Sequence, residues 1–121
     1  MRTNCGFDEF PDPKKGKKVF DRLRKAVKEL SRIDPAAQPG AADAIDDLVA
    51  ITRQLAVAAI GDNPPVALDD SRQGKVNREW AKANEDLAKG DSEPKSDKTL
   101  KHYERAWEHA QKASKEAAKA P

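Results

Sequence analysis

Two histidines, His102 and His109, are the residues best suited to acid–base or metal chemistry in this 121-residue chain, and they lie seven positions apart. On a helix this spacing separates them by about 10.5 Å along the axis, which is too far for one metal ion to bind both. Both also project away from the centre of the apolar stripe on their segment. We therefore interpret them as exposed or partly exposed side chains and predict no metal site.

The other candidate residues also lack the pattern that their chemistry requires. Asp91, Glu93 and Asp97 have the composition of a calcium loop but not its Asp-x-Asp-x-Asp-Gly register or its terminal glutamate. The single cysteine, Cys5, excludes an internal disulfide, and no local partner would activate it as a nucleophile. Phosphate-loop, dinucleotide-binding and hydrolase motifs do not occur. We predict no catalytic or cofactor-binding residue and expect a protein that is not an enzyme.

One dense cationic turn stands out near the start of the chain. Lys14, Lys15, Lys17 and Lys18 flank Gly16 in the sequence KKGKK, which could meet phosphate or an acidic surface. The aromatic platform and base-reading side chains of nucleic-acid binders are not evident. The whole chain carries 23 basic and 21 acidic residues, a net charge of only +2. We treat the four lysines as a candidate anion patch, with a solvated helix start as the alternative, and the balance argues against a nucleic-acid partner.

Apolar residues at helical spacing predict the elements that must position these side chains. We predict an extended leader at residues 1–12 and four helices at about 13–33, 41–60, 75–89 and 97–119. Short first and third connectors then favour a four-helix up-and-down antiparallel bundle, and no segment has the alternation of a strand. Residues 13–119 would form a single domain.

Details of the predicted bundle follow from the same pattern. The second helix has the widest apolar surface and should be the most buried, and Gly61 to Gly74 should form a long loop. Gly90 should end the third helix as a left-handed cap, and Ser96 or Asp97 should cap the fourth. The second hairpin should bury three aromatic rings, those of Trp80, Tyr103 and Trp107. Two rings of the leader, Phe7 and Phe10, should cover one end of the core.

Several segments carry short alanine-containing motifs of a kind found together in other proteins. They are DDLVAITRQLAVAAI, WAKANEDLAKGD and SDKTLKHYERAWEHAQKA. Together they resemble the helical region near the C-terminus of many secreted or surface-attached bacterial multidomain proteins, with its LA-x-x-AI, LAKGD and HY-x-x-AW-x-HA motifs. The resemblance spans about residues 27–113 and implies a location more than a chemistry. The second hairpin also resembles one tetratricopeptide unit, although no second copy follows at a fixed period.

These observations lead to one preferred function and two alternatives. We expect a non-enzymatic helical structural or adaptor module of a bacterial extracellular or surface protein. The alternatives are an intracellular protein-interaction bundle and a weak polyanion binder that uses the basic first helix. No apolar run is long enough to span a membrane, and neither a signal peptide nor a cofactor is indicated. The protein partner is not identifiable from the residues, and both a monomer and a homodimer are compatible with the pattern.

Overall fold

The described part of the chain folds into helices, as the spacing of its apolar residues predicts. A computed structural model describes residues 13–33 and 40–119. These ranges contain no strand, and their helices are α1 (Pro13–Ser31), α2 (Gly40–Ile60), α3 (Asp70–Ser92) and α4 (Ser96–Ala117). The prediction of an all-α, four-helix fold is confirmed. The predicted leader with Cys5, Phe7 and Phe10, and the first connector, lie outside the described residues.

The central helix of the bundle is α4, not α2 as the width of the apolar surface predicted. Over the described ranges α4 packs against all three other helices, whereas α1 and α3 do not touch each other. Eight residues of α4 are buried, against four of α2. The reason is side-chain size: α4 alternates the large rings of Tyr103 and Trp107 with small alanines, so it fills space and also permits close approach. α2 also contacts the three other helices, but it leaves Ile51 and Val57 exposed, so fewer of its residues are buried.

Aromatic rings occupy the contacts between α4 and its neighbours. Trp107 is 2% exposed, and its ring lies 5.3 Å from that of Phe20 in α1, centroid to centroid. Tyr103 packs with Ala56 and Ile60 of α2 in the main core cluster. Trp80 is half-buried beside this cluster, and its indole Nε1 donates a 2.9 Å hydrogen bond to the carbonyl of Ile60, the last residue of α2. The second hairpin therefore contributes most of the large core rings, as predicted.

The ends of α3 differ from the prediction. The helix begins at Asp70, five residues early, because the Asp69 side chain accepts a 2.8 Å hydrogen bond from the backbone amide of Arg72. The preceding loop is correspondingly shorter. Gly90 does not end the helix, which continues to Ser92. Its lack of a side chain serves packing instead of a left-handed turn.

The ends of α2 and α4 also have features that the sequence did not predict. Among the described glycines only Gly61, directly after α2, has a positive φ, of 70°. Lys95, not Ser96 or Asp97, occupies the N-cap of α4, and its side chain makes no capping hydrogen bond. The hydroxyl of Thr99 donates to the carbonyls of Glu93 and Lys95 at 3.1 Å each, which ties the first turn of α4 to the residues that precede it. No described helix combines the length and the apolar character needed to cross a bilayer.

Candidate functional site

Three helices meet at a polar contact that we name the Asp91 junction, formed by Arg53, Asp91 and Tyr103. Arg53 of α2 donates to both carboxylate oxygens of Asp91, with Nε–Oδ1 at 2.8 Å and Nη2–Oδ2 at 3.0 Å. The Tyr103 hydroxyl of α4 donates to Asp91 Oδ1 at 2.6 Å. The hydrogen bond from Arg53 is the main reason that the pKa of Asp91 lies below its ordinary value. A two-pronged arginine contact of this kind fixes the register of the helices.

Gly90 makes the Asp91 junction possible. A Cβ atom at this position would lie 2.5 Å from Cε1 and 2.7 Å from Cδ1 of Tyr103. The ring therefore lies directly on the α3 backbone, one residue before the carboxylate that its hydroxyl binds. The Gly-Asp pair of the LAKGD segment and the tyrosine of the HY segment thus form one structural unit. The three hydrogen bonds of the junction all join side chains of the protein, so the unit positions the helices relative to one another.

Histidines and carboxylates alternate along one edge of the α3–α4 hairpin, which we name the histidine seam. From one end to the other its members are Glu93, His102, Asp86, His109 and Glu79. His109 Nδ1 lies 2.7 Å from Glu79 Oε1, and His109 Nε2 lies 3.5 Å from Asp86 Oδ2. The contacts of His102 are longer, at 4.0 Å from Nδ1 to Asp86 Oδ1 and 3.8 Å from Nε2 to Glu93 Oε1. Both imidazoles thus face carboxylates across the hairpin.

The strongest contact of the histidine seam changes the acidity of Glu79. Burial alone raises the pKa of this carboxyl, but the hydrogen bond and the charge of His109 lower it, and so do the charges of Lys82 and Lys112. The net effect is a pKa below the ordinary 4.5. Within the described ranges, no three histidine, cysteine or acidic side chains are close enough together to hold a metal ion. The seam holds α3 and α4 together through these contacts.

Lys17, part of the predicted anion patch, contacts carboxylates of the protein itself. Its Nζ lies 3.3 Å from Glu108 Oε2 and 3.8 Å from Glu104 Oε2 on α4. The hydrogen bond with Glu108 is the largest cause of the raised pKa of Lys17. Lys18 is exposed, and Lys14 and Lys15 lie within α1 with side chains outside what the structure describes. Of the two lysines of this patch whose side chains the structure describes, Lys17 is therefore paired with carboxylates and Lys18 is exposed.

A second basic region, which the sequence did not single out, lies between the start of α3 and the end of α4. We name it the cationic groove and define it by Lys75, Arg78, Lys112, Lys115 and Lys119. It encloses about 440 Å³. Glu79 and Glu116 also line it, but Glu79 contacts His109, and Glu116 lies 3.0 Å from Lys119 Nζ. The sequence contained one signal of this groove, because Lys75 and Arg78, like Lys112 and Lys115, are three residues apart and lie on one side of their helix. The groove itself forms only where α3 packs against α4.

An apolar strip also remains exposed on α2. We name it the α2 stripe; its members share one 120° sector of the helix and are Ala50, Ile51, Gln54, Val57 and Ala58. Ile51 is 49% exposed and Val57 is 40% exposed. α2 contacts the three other helices, and this sector is the part of its broad apolar surface that the described residues leave open.

Comparison of the chain with protein-family models, curated proteins and solved structures finds no match. Function therefore has to be inferred from the surfaces described above. The Asp91 junction and the histidine seam are used within the fold, whereas the α2 stripe and the cationic groove face outward. These two surfaces are the candidates for contact with other molecules.

Proposed function

We propose that this chain is a non-enzymatic helical module with a structural or adaptor role in a bacterial extracellular or surface protein. We further propose that it contacts a protein partner through the α2 stripe. The observation that carries the second proposal is the exposure of Ile51 and Val57 on the same sector of one helix. Single exposed apolar residues are ordinary, but here the two lie at the edges of one sector with the exposed Ala50, Gln54 and Ala58 between them, so one partner surface can cover all five residues.

Energetics support this use of the α2 stripe. Complete burial of an isoleucine or valine side chain contributes about 1.5 to 3 kcal/mol, so covering the exposed parts of Ile51 and Val57, 49% and 40%, contributes about 0.6 to 1.5 kcal/mol for each. Gln54 lies between the two large side chains on the same sector and can supply a polar contact that fixes orientation. Asp43 and Asp47, both exposed, precede the stripe on this side of α2 and provide a charged border. An apolar surface with a polar contact and a charged border has the usual composition of a small interface.

The proposed location depends on the sequence resemblance to C-terminal helical regions of bacterial surface proteins. Immunodetection of the native protein in culture medium, surface-exposed and cytoplasmic fractions tests it directly. Detection outside the cytoplasm is expected. A purely cytoplasmic protein would overturn the location and favour an intracellular interaction bundle that uses the same stripe.

Site-specific photo-crosslinking in the producing cells tests the partner. A photoreactive residue at position 54 should form a discrete adduct, and the same residue at Lys101, exposed on α4, should not. The double substitution Ile51→Asp and Val57→Asp should abolish the adduct without loss of helical circular dichroism. An adduct of twice the 13.3 kDa chain mass would identify a second copy as the partner.

Three results would count against the proposal. Identical adducts from positions 54 and 101 would show that the α2 stripe is not selective, and an adduct that survives both aspartate substitutions would show that it is not the contact surface. Turnover of a substrate that disappears in His109→Ala would overturn the non-enzymatic role, because a residue of the histidine seam would then perform chemistry.

A further inference from the structure

The cationic groove has an excess of positive charge that the protein does not neutralise. Among the described side chains, no carboxylate lies within 4.0 Å of Lys75, Arg78, Lys112 or Lys115. Other described cations, such as Lys98 and Lys101, also lack a carboxylate partner, but those of the groove line one cavity. Its lining has five cations and two carboxylates, and an anion between the two helices would neutralise this excess of positive charge.

The walls of the groove are held in place by contacts at its end. Arg72 Nη1 donates a 2.6 Å hydrogen bond to the carbonyl of Lys119, which ties the first turn of α3 to the end of α4. Glu116 binds Lys119 at 3.0 Å, and Glu79 binds His109 at 2.7 Å, so both lining carboxylates already have cationic or imidazole partners. The groove is thus lined by Lys75 and Arg78 of α3 and by Lys112 and Lys115 of α4, with Lys119 two residues after the end of α4.

We propose that the cationic groove binds a linear chain of phosphate groups. Lys112 and Lys115 of α4 are three residues apart, as are Lys75 and Arg78 of α3, so the two cations of each wall are separated by about 4.5 Å along the helix axis. The phosphates of one DNA strand follow one another every 3.4 Å or so along the duplex axis, so each wall repeats its positive charge at a spacing comparable with that of consecutive phosphates. Cations spread along both walls suit consecutive charges better than a single ion. Lysine and arginine are the usual phosphate partners.

No aromatic side chain is among the described residues that line the groove. Base stacking is the usual source of affinity for unpaired bases, so recognition here rests on the phosphates and is independent of sequence. This site differs from the basic first helix, where Lys17 contacts Glu104 and Glu108. It is also separate from the α2 stripe, and its failure would leave the proposed protein contact untouched.

Fluorescence anisotropy with the full chain tests the proposal. The probes are labelled inorganic polyphosphate, a labelled single-stranded oligonucleotide and labelled poly-glutamate, each at low and moderate salt. Binding of at least one phosphate chain, weakened by salt, is expected. Stronger binding of polyphosphate would identify bare phosphates as the preferred source, and stronger binding of the oligonucleotide would identify phosphodiesters; both support the site. No binding at low salt, or equally tight binding of poly-glutamate, would overturn it.

Three double variants with the same loss of charge locate the site. Lys75→Gln with Lys115→Gln removes one cation from each wall and should weaken binding about tenfold or more at low salt. It should also reduce the slope of log affinity against log salt by about 1.4, as expected for two lost contacts to a single strand. Lys98→Gln with Lys101→Gln on α4, and Arg22→Gln with Lys25→Gln on α1, should each change affinity less than about threefold.

Circular dichroism of each variant establishes that the helices remain folded. An equal loss of affinity in all three double variants would show that binding follows net charge alone and would overturn the site. A larger loss in the α1 variant would place binding on the basic first helix and would also overturn it.

Discussion

The hydroxyl of Tyr103 donates a 2.6 Å hydrogen bond to Oδ1 of Asp91, and the same oxygen accepts a hydrogen bond from Arg53. One carboxylate therefore joins α2, α3 and α4. Burial is the main cause that raises the pKa of Tyr103 to about 12, and the negative charge of Asp91 adds to it. The folded protein thus holds the phenolic proton more tightly than the unfolded chain does, which makes the junction sensitive to alkali.

Alkaline pH should weaken the fold through Tyr103. Its ordinary pKa is 10.0, and because the folded value is higher, its contribution to stability is complete below pH 10 and is lost as pH rises towards 12. Tyr103→Phe should lower the free energy of unfolding by about 1 to 2 kcal/mol at neutral pH, since one hydrogen bond to a charged group is lost. Urea unfolding at neutral pH and at several alkaline values measures both effects.

The loss of stability in Tyr103→Phe at neutral pH and the loss of wild-type stability in alkali both depend on the phenol hydroxyl. Comparison of the two proteins at each pH therefore serves as the control. The wild-type protein and the variant should approach each other in stability as pH rises through the titration range of the phenol. A constant difference between them at all alkaline pH values would contradict the role assigned to the hydroxyl.

Gly90→Ala should destabilise the protein although alanine favours helices. The new methyl group would lie 2.5 Å from Tyr103 Cε1, so the ring has to move. Overpacking of this kind costs about 1 to 3 kcal/mol, which exceeds the helix-propensity gain of about 1 kcal/mol. Thermal and urea unfolding of the variant should show a net loss.

Gly74→Ala is the matched control on the same helix. The nearest atom to its new Cβ is Nη1 of Arg78 at 3.8 Å, an ordinary contact. This variant should gain about 0.5 to 1 kcal/mol, because alanine has less conformational freedom to lose. If both variants gain stability, Gly90 is not required for the approach of Tyr103.

The fold class was accessible from sequence because helical periodicity is local. The apolar stripe of the fourth predicted helix consists of Leu100, Tyr103, Trp107, Ala110 and Ala117; the first four are buried, and Ala117 is partly exposed. The central position of α4 was not accessible, because it depends on how closely helices approach. Gly90 illustrates the limit: its sequence position fits a cap, and only the ring of Tyr103 against the α3 backbone explains its presence within a helix.

The polar contacts were harder to predict than the core. Arg53 and Asp91 are 38 positions apart, and their pairing depends on the rotation of two helices about their axes. The histidine seam did leave a signal, because Glu79, Asp86 and Glu93 recur every seven residues, as do the two histidines. His102 and His109 were expected to be exposed or partly exposed, and both are partly exposed, but the carboxylates that face them lie on the other helix of the hairpin and were not expected from α4 alone.

Arg24→Met tests the contact between α1 and α4. Arg24 Nη1 donates to Oε1 of Glu104, whose side chain is only 7% exposed. Loss of one partner of a buried pair costs about 3 to 5 kcal/mol, but Lys17 Nζ remains 3.8 Å from Glu104, so we expect a loss of about 1 to 3 kcal/mol in urea unfolding. Adding Glu104→Met should restore part of it, since no unpaired charge then remains buried.

Arg22→Met is the control for this pair, because Arg22 is exposed on the same helix. It should change the free energy of unfolding by no more than about 0.5 kcal/mol. Equal losses in the two arginine variants would mean that general charge on α1, not the contact with Glu104, determines stability.

Acid should weaken the fold through Glu79. Because the folded pKa of this carboxyl lies below 4.5, its contribution is present above that pH and is lost as pH falls through the folded value. His109→Gln removes the hydrogen-bonding imidazole and its charge, so the variant should lose less stability than the wild-type protein between about pH 5 and pH 3. His102→Gln is the control, since its carboxylate contacts are 3.8 Å and 4.0 Å long. Urea unfolding across this range should separate the variants, and an unchanged acid response in His109→Gln would show that the 2.7 Å contact with Glu79 does not hold the hairpin together.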